Sequence, residues 1–138
     1  MHIKNFKKWG EEKERLNISE ITSDITKFSP RIREVVYAKF GINIGFEADG
    51  KKNFMRPVLI LAKIGSMYWV APLTSKLKEN YFHHELLSVK FPTIKHSLVM
   101  LSQARIIDEK RCFHKIGEVQ KIEFQEIQKK MKSMYFPS

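Results

Sequence analysis

The chain has 138 residues, of which 43% are hydrophobic, enough apolar material for the core of one compact domain but not of two. Lys and Arg total 25 against 15 Asp and Glu, so the formal net charge is +10 and the field attracts polyanions. Nucleic acid therefore leads the expected partners, and a basic surface that only aids solubility is the alternative. No apolar run approaches the roughly 18 residues of a membrane span or forms a signal-peptide core, so we expect a cytoplasmic protein without membrane contact.

Residues 1–30 are highly charged and are predicted to form a helical extension, of one or two amphipathic helices, ahead of a domain at residues 31–138. Asn17 offers a helix N-cap with Glu20 three residues later, which favours a helix break and restart there. Pro30 ends the pattern because proline disfavours helical geometry in the residue before it. The apolar residues at helical spacing are Phe6, Trp9, Ile18, Ile21, Ile25 and Phe28.

From Glu34 onward, short β-type runs alternate with turn residues, which is typical of a small, mostly antiparallel β barrel. The two runs that flank the turn at Gly65 predict a hairpin. Residues 121–135 have apolar side chains at steps of three and four and predict a terminal helix packed on the strands. Strands are predicted at residues 35–40, 57–63, 67–74, 85–89, 97–101 and 103–108.

Cofactor and metal sites are excluded by the residues that they require. The chain has no Gly-rich stretch ending in Gly-Lys-Ser/Thr, and residues 41–45 lack the next glycine of a dinucleotide fingerprint, so no cofactor is expected. The adjacent pair His83 and His84 would point to opposite faces of a strand, which does not suit a metal site. We interpret these two, with His96 and His114, as surface or RNA-facing residues and expect no metal.

Cys112 is the only cysteine, which excludes an internal disulfide. A lone thiol needs a nearby base and an orienting group to act as a nucleophile, and its neighbours Arg111, Phe113 and His114 do not establish such a site. We therefore interpret Cys112 as an ordinary half-buried thiol.

A guanidinium and a hydroxyl are placed at neighbouring ends of the predicted hairpin. Arg56 comes just before the first strand, and Thr74 and Ser75 come at the end of the second. Because the ends of paired strands converge, both groups can face one phosphate. RNA contains its own nucleophile, the 2′-hydroxyl, so orienting that group and stabilising charge on the phosphoryl oxygens suffices in outline for cleavage. The alternative is that both are solvated or capping groups at strand ends.

The loops beside these two residues combine positive charge with aromatic rings, a mixture suited to phosphate contact and base stacking. The alternative is that the lysines are solvated and that the rings close the barrel. The lysines are Lys51, Lys52, Lys76 and Lys78, and the aromatic residues are Phe46, Phe54 and Tyr81.

Read together in chain order, six segments resemble the PemK/MazF family of toxin ribonucleases, and the similarity covers about residues 33–134. No single motif is decisive, but the order and spacing make the combination specific. The segments are Glu-Val-Val-Tyr at 34–37, Asn-Ile-Gly-Phe-Glu-Ala-Asp-Gly at 43–50, Arg-Pro-Val-Leu-Ile-Leu at 56–61, Val-Ala-Pro-Leu-Thr-Ser at 70–75, Leu-Ser-Gln-Ala-Arg-Ile-Ile-Asp at 101–108 and Lys-Ile-Gly at 115–117.

The resemblance implies a mainly β fold, an SH3-like antiparallel barrel of the PemK/MazF/CcdB kind with an N-terminal helical extension and a C-terminal helix. It implies the toxin of a type II toxin-antitoxin system, a homodimer inhibited by a cognate antitoxin. The implied reaction is metal-independent cleavage of single-stranded RNA, leaving a 2′,3′-cyclic phosphate and a 5′-hydroxyl. Arg56 matches the family's catalytic arginine, and Thr74 matches its catalytic threonine.

Three further residues match family positions that shape the RNA groove or support the site: Glu47, Gln103 and Arg105. The alternative for them is structural, and Arg105 in particular could hold the barrel or a dimer together. Some family members place a catalytic Arg and Asp on the strand before the glutamine, where this chain has Met100 and Ser102. We therefore expect no mechanism that relies on those two groups.

Two other hypotheses follow from the sequence. The first is a non-catalytic binding module, either a topoisomerase poison built on the related CcdB barrel or a basic SH3-like RNA binder. The second is that the helices of residues 1–30 form a dimer or antitoxin surface, against the alternative that they pack on the chain's own barrel.

Overall fold

The computed structural model describes residues 5–18, 28–40, 55–75, 82–89 and 97–137. Within these segments, two helices flank seven strands in chain order, and two short 3₁₀ helices connect the later strands. The elements are α1 (Phe6–Ile18), β1 (Glu34–Lys39), β2 (Met55–Ile64), β3 (Met67–Thr74), β4 (His83–Glu85), β5 (Leu98–Met100), β6 (Arg105–Asp108), β7 (Cys112–Glu118) and α2 (Lys121–Tyr135), with 3₁₀ helices at Leu101–Gln103 and Glu109–Arg111.

The strands form one antiparallel sheet in the order β4-β5-β3-β2-β1-β7. β6 also pairs with β3, so β5 and β6 pair with different parts of the same edge of the long strand β3. The β2–β3 hairpin turns at Gly65, whose φ of +60° lies in the left-handed region that favours glycine. A mainly antiparallel β fold with a helix at each end is therefore confirmed.

The predicted closure of the sheet into a barrel is wrong. The terminal strands β4 and β7 do not pair with each other in the described part of the chain, so the sheet is open. An open sheet needs another element to cover its apolar face. That element is α2, whose Phe124, Ile127 and Met131 pack into the same core cluster as strand residues.

Both faces of the central strands are buried, because side chains alternate between them. Val35, Leu59 and Ala71 face α2 in the first core cluster. Val36, Val58, Val70 and further residues form a second cluster on the other face, against which Phe28 packs. The sequences of these strands are consequently nearly continuous apolar runs, which is why the strands could be predicted from the sequence.

The predicted and observed strands differ most in the second half of the sheet. The strand expected at residues 85–89 is instead β4, which ends at Glu85. The segments expected at 97–101 and 103–108 are the shorter β5 and β6, separated by a 3₁₀ helix. β7 was not predicted, because its residues do not alternate between buried and exposed. Only Cys112 in this strand is buried.

A buried carboxylate explains why the strand stops at Glu85. Glu123, in the first turn of α2, is 8% exposed and accepts backbone hydrogen bonds from Leu87 at 2.8 Å and Ser88 at 2.9 Å. It also accepts a bond from the Ser88 hydroxyl and lies 3.1 Å from His84 Nε2. The backbone of residues 87–88 therefore bonds to a helix side chain rather than to a neighbouring strand, and this Glu123 clamp ties α2 to the sheet edge.

The first helix packs on the chain's own domain. Trp9 of α1 is only 4% exposed, and Glu12 forms an ion pair of 3.3 Å with Lys39 at the end of β1. Lys110 reaches the Asn17 carbonyl oxygen at 3.3 Å. These contacts favour packing for residues 6–18. Asn17 of the predicted capping box lies in the last turn of α1, whereas Ser19 to Lys27, with Glu20 of that box and the apolar Ile21 and Ile25, lie outside the described residues. No helix of the described segments is long and apolar enough to cross a membrane.

Cys112 is 7% exposed in the second core cluster. Burial, followed by the charges of Glu109 and Asp108, raises the pKa of its thiol to about 12. The thiol is thus more deeply buried than the half-buried position that was expected, and the raised pKa disfavours the thiolate, which is the reactive species.

Glu123→Gln is predicted to destabilise the fold by about 2 kcal/mol at pH 7, because the amide replaces a charged acceptor of several hydrogen bonds. Burial raises the pKa of Glu123, but its hydrogen bonds outweigh burial and lower it below the ordinary 4.5. The folded state therefore gains stability above about pH 4.5 and loses it as the pH falls through the folded-state pKa. Urea denaturation from pH 7 to pH 3 should show the gap between wild type and variant closing in acid. The exposed Glu126→Gln on the same helix is the control; a gap that is independent of pH would contradict the assignment.

The thiol of Cys112 is predicted to react with a thiol reagent at pH 8 roughly a thousandfold more slowly in the folded protein than in urea, from the pKa difference alone. Stopped-flow absorbance with an aromatic disulfide measures both rates. Comparable rates in the two states would show that Cys112 is accessible and ionisable in the fold.

Candidate active site

A row of residues crosses the sheet where β1 ends, β2 begins and β3 ends. Ala38 pairs with Cys112 on one side and with Arg56 on the other. In the β2–β3 ladder Val58 pairs with Pro72, and continuing that register by two residues places Arg56 opposite Thr74. Thr74 in turn pairs with Leu98 of β5.

A side-chain bond supports this placement. The Arg56 Nη1 donates to the carbonyl oxygen of Leu73 at 2.9 Å, so the guanidinium is held beside the residue that precedes Thr74. Arg56 is half-buried and Thr74 is 9% exposed. The structure therefore brings together the two residues that the sequence singled out, and it fixes the orientation of the arginine by a backbone contact.

Both residues lie on the sheet face that is opposite α2. Residues two or four positions apart in a strand point to the same face. Arg56 is two residues from Val58 on β2, and Thr74 is four residues from Val70 on β3. Both valines belong to the second core cluster. Each residue therefore lies along its strand from a buried valine of that cluster. Such an arrangement strengthens hydrogen bonds from a guanidinium to a phosphoryl oxygen, because the local dielectric constant is lower than that of water.

The other predicted site residues within the described segments are dispersed. Ser75 follows Thr74 and is exposed, whereas Gln103 is half-buried in a 3₁₀ helix and not on the strand that the resemblance implied. Arg105 begins β6 opposite Val70, about 13 Å along β3 from Thr74 at the usual rise per residue. Its guanidinium lies 4.7 Å from the ring centroid of Phe40.

Several predicted groove residues lie outside the described residues: Glu47, Lys51, Lys52, Lys76, Lys78, Phe46, Phe54 and Tyr81. The two positions where some family members have a catalytic Arg and Asp lie within the described residues. Met100 is the last residue of β5 and Ser102 is exposed in the following 3₁₀ helix.

The histidines that could have been site residues have other surroundings. His84 contacts the Glu123 clamp, and the Nδ1 of His83 is buried without a hydrogen-bond partner. His114 is exposed, with its ring centroid 5.0 Å from that of Tyr37, and His96 lies outside the described residues. Within the described segments, no group of three or more His, Cys, Asp or Glu is arranged to hold a metal ion.

Sequence reasoning missed a cluster of basic and aromatic side chains where α1 meets the 3₁₀ helix at Glu109–Arg111. The guanidinium of Arg111 lies 5.5 Å from the ring centroid of Trp9, and Lys13 Nζ lies 5.9 Å from that ring. The available signal was the run Lys110-Arg111 after Asp108, but nothing in the linear order indicates that it meets a helix about 100 residues earlier.

Solved structures share this fold. MazF (form I) from Deinococcus radiodurans matches with a TM-score of 0.65 and 21% identity, covering 78% of this chain and 97% of that one. A MazE-MazF structure (form II) from the same organism matches with a TM-score of 0.59 and 20% identity, covering 80% and 99%. The Mycobacterium tuberculosis toxin MazF-mt6 matches with a TM-score of 0.58 and 17% identity, covering 75% and 96%.

None of the curated proteins compared with the chain matches it. The family model for the "PemK-like, MazF-like toxin of type II toxin-antitoxin system" matches residues 31–135, well over half of the chain. This span includes β1 to β7, the pair Arg56 and Thr74, and α2. The chain therefore belongs to the PemK/MazF family of toxins of type II toxin-antitoxin systems.

Proposed function

We propose that this toxin is an endoribonuclease that cleaves single-stranded RNA without a metal ion, with Arg56 and Thr74 as its catalytic residues. The observation that supports this most directly is the bond from Arg56 Nη1 to the Leu73 carbonyl, which holds the guanidinium next to Thr74. A preorganised cation is more effective in catalysis than a mobile one, because little reorganisation is needed as charge develops.

The proposed reaction is an internal displacement at phosphorus. The 2′-oxygen attacks the adjacent phosphate and loses its proton, the bond from phosphorus to the 5′-oxygen breaks, and that oxygen gains a proton. The products are a 2′,3′-cyclic phosphate and a 5′-hydroxyl. Thr74 orients the attacking hydroxyl, and Arg56 donates hydrogen bonds to the phosphoryl oxygens, on which negative charge accumulates.

Further residues are proposed to bind RNA or to support this pair: Glu47, Lys51, Lys52, Ser75, Lys76, Gln103 and Arg105. Met100 and Ser102 supply no alternative guanidinium or carboxylate at their positions. Arg56 and Thr74 must consequently provide more of the rate enhancement than in relatives that retain those groups. Substituting either residue should therefore have a large effect.

The biological setting is proposed from the family. Other structures from Deinococcus radiodurans are of MazE-MazF. We propose that a cognate antitoxin, with an acidic segment that folds as it binds, covers the basic face of this toxin in the cytoplasm. We also propose that the active form is a homodimer, which size-exclusion chromatography with light scattering would measure.

Cleavage itself is tested with purified protein and long single-stranded RNA in EDTA, followed by mapping of the product ends. We expect fragments with cyclic phosphate and 5′-hydroxyl ends. Intact RNA after prolonged incubation, or cleavage that appears only after magnesium is added, would count against the proposed reaction.

Arg56→Gln and Thr74→Val are each predicted to lower the cleavage rate at saturating RNA by about a hundredfold or more, since one removes a transition-state donor and the other the hydroxyl. Thr74→Ser, which retains the hydroxyl, should keep most of the activity. Arg31→Gln, at an exposed arginine outside the row, is the charge-matched control. If Arg56→Gln and Thr74→Val remained fully toxic in cells, a non-catalytic binding module such as a CcdB-like topoisomerase poison would be favoured instead.

A further inference from the structure

Pro57 lies in the middle of the sheet, where proline is unusual. It belongs to β2, which pairs with β1 on one side and with β3 on the other. Proline has no backbone N–H, so in a central strand it leaves one hydrogen bond of the ladder unmade. For that reason proline within sheets is found mainly in edge strands and at bulges. The strand register identifies the carbonyl oxygen that loses its donor here.

The missing N–H would have donated to the carbonyl oxygen of Leu73. In an antiparallel ladder, pairs that exchange both backbone bonds alternate with pairs that exchange none. Val58 pairs with Pro72, and since Pro72 has no N–H, this pair exchanges no bonds. The next pair in the same register, Pro57 opposite Leu73, is therefore of the bonding kind. The pairing of Tyr37 with Pro57 agrees, because it too lacks an N–H and directs the polar backbone of residue 57 away from β1.

The side chain of Arg56 donates to this same oxygen. Its Nη1 lies 2.9 Å from the Leu73 carbonyl oxygen. Leu73 is 3% exposed, and a buried carbonyl group without a donor is costly, so the contact offsets the loss caused by Pro57. Arg56 belongs to β2, as the missing N–H does, so both donors would approach the oxygen from the β2 side. A backbone N–H at residue 57 would therefore compete with the guanidinium.

We infer that Pro57 is a positioning residue for Arg56. By withholding an N–H from Leu73, it leaves that carbonyl oxygen to anchor the guanidinium. The oxygen belongs to the peptide group that joins Leu73 to Thr74, so the anchor is covalently attached to the second proposed catalytic residue. This inference rests on the proposed ribonuclease function, in which a preorganised guanidinium stabilises charge on the phosphoryl oxygens. An N–H restored at residue 57 loosens the guanidinium and slows cleavage.

Two forms of Pro57→Val separate the effect of the N–H from the loss of the proline ring. The ordinary amide form restores the N–H, whereas the form made with the α-hydroxy acid that corresponds to valine has an ester oxygen in its place. Both forms lack the restriction that proline imposes on the backbone of Arg56.

With single-stranded RNA in EDTA, the amide form should have a kcat about tenfold or more below that of the ester form, with a similar KM. This is the loss expected when one charge-assisted hydrogen bond no longer positions a group that acts in the transition state. Equal kcat values for the two forms would overturn the inference.

Thermal unfolding distinguishes positioning from a loss of stability. The ester form has no N–H for Leu73, and its ester carbonyl at Arg56 is a weaker acceptor for the paired Ala38, so its Tm should be the lower of the two. The less stable form is therefore expected to be the more active one. An amide form with both the lower Tm and the lower kcat would make Pro57 a structural residue and overturn the inference.

A double-mutant cycle tests whether Pro57 acts through Arg56. In an Arg56→Gln background, the amide and ester forms of Pro57→Val should cleave at equal, low rates, because the group that the N–H displaces is absent. A tenfold difference that persists in this background would overturn the inference.

The position of the guanidinium is also measured without RNA. In protein with isotope-labelled arginine, NMR gives the rate of rotation about the Nε–Cζ bond of Arg56. Pro57→Val should rotate about tenfold faster than wild type, because the bond to Leu73 is lost. Arg33, whose Nη2 donates to Glu118 at 3.2 Å, is the internal control and should keep its rate. An unchanged rate for Arg56 would contradict the proposed anchoring.

Failure of this inference differs from failure of the proposed function. If wild type cleaves RNA in EDTA but the amide and ester forms have the same kcat, only the role of Pro57 is overturned. If wild type does not cleave RNA but Arg56 rotates faster in Pro57→Val, the proposed reaction fails, whereas the positioning of Arg56 by Pro57 stands on a non-catalytic protein.

Discussion

The antiparallel register between β2 and β3 is the constraint on which the candidate site depends. Val58 pairs with Pro72, and this alignment brings Arg56 to the end of β3. A slip of one residue would turn every buried side chain of the strand to the opposite face. Because Leu59 and Val58 are fully buried on opposite faces, such a slip would disturb two packed cores. The position of Arg56 beside Leu73 is thus protected by the burial of residues that have no chemical role.

The two helices have different relations to this hairpin. α2 buries Phe124 and Ile127 against one face, and the Glu123 clamp fixes it to the chain after β4. α2 therefore covers one face of the open sheet. The opposite face, which carries Arg56, is not covered by α2. Among the α1 side chains whose burial is described, Trp9 is the one buried apolar residue; α1 also makes an ion pair from Glu12 to Lys39 and a ring contact from Trp9 to Arg111. The packing of α1 on the domain therefore depends on contacts between polar groups. Salt screens such contacts more strongly than it weakens apolar contacts.

Local patterns predicted much of the fold because burial leaves a periodic signature. The hairpin strands and the helix at residues 121–135 match the observed elements closely, since their apolar residues recur at the period of the structure they form. The strand expected at residues 85–89 failed because the backbone N–H groups of Leu87 and Ser88 bond to Glu123, which for Ser88 is 35 residues away in the chain. Gln103 was expected on a strand, but the chain turns there through a 3₁₀ helix before β6 begins.

By itself, the sequence determined the mainly β architecture, the hairpin, the terminal helix and the two residues, Arg56 and Thr74, that match the family's chemistry. These follow from local periodicity and from motifs of a few residues. Only the tertiary structure decided that the sheet stays open and that Trp9 meets Arg111. The physical reason is that contacts between distant segments depend on packing and on strand register, and no local pattern encodes which surface a charged helix will contact.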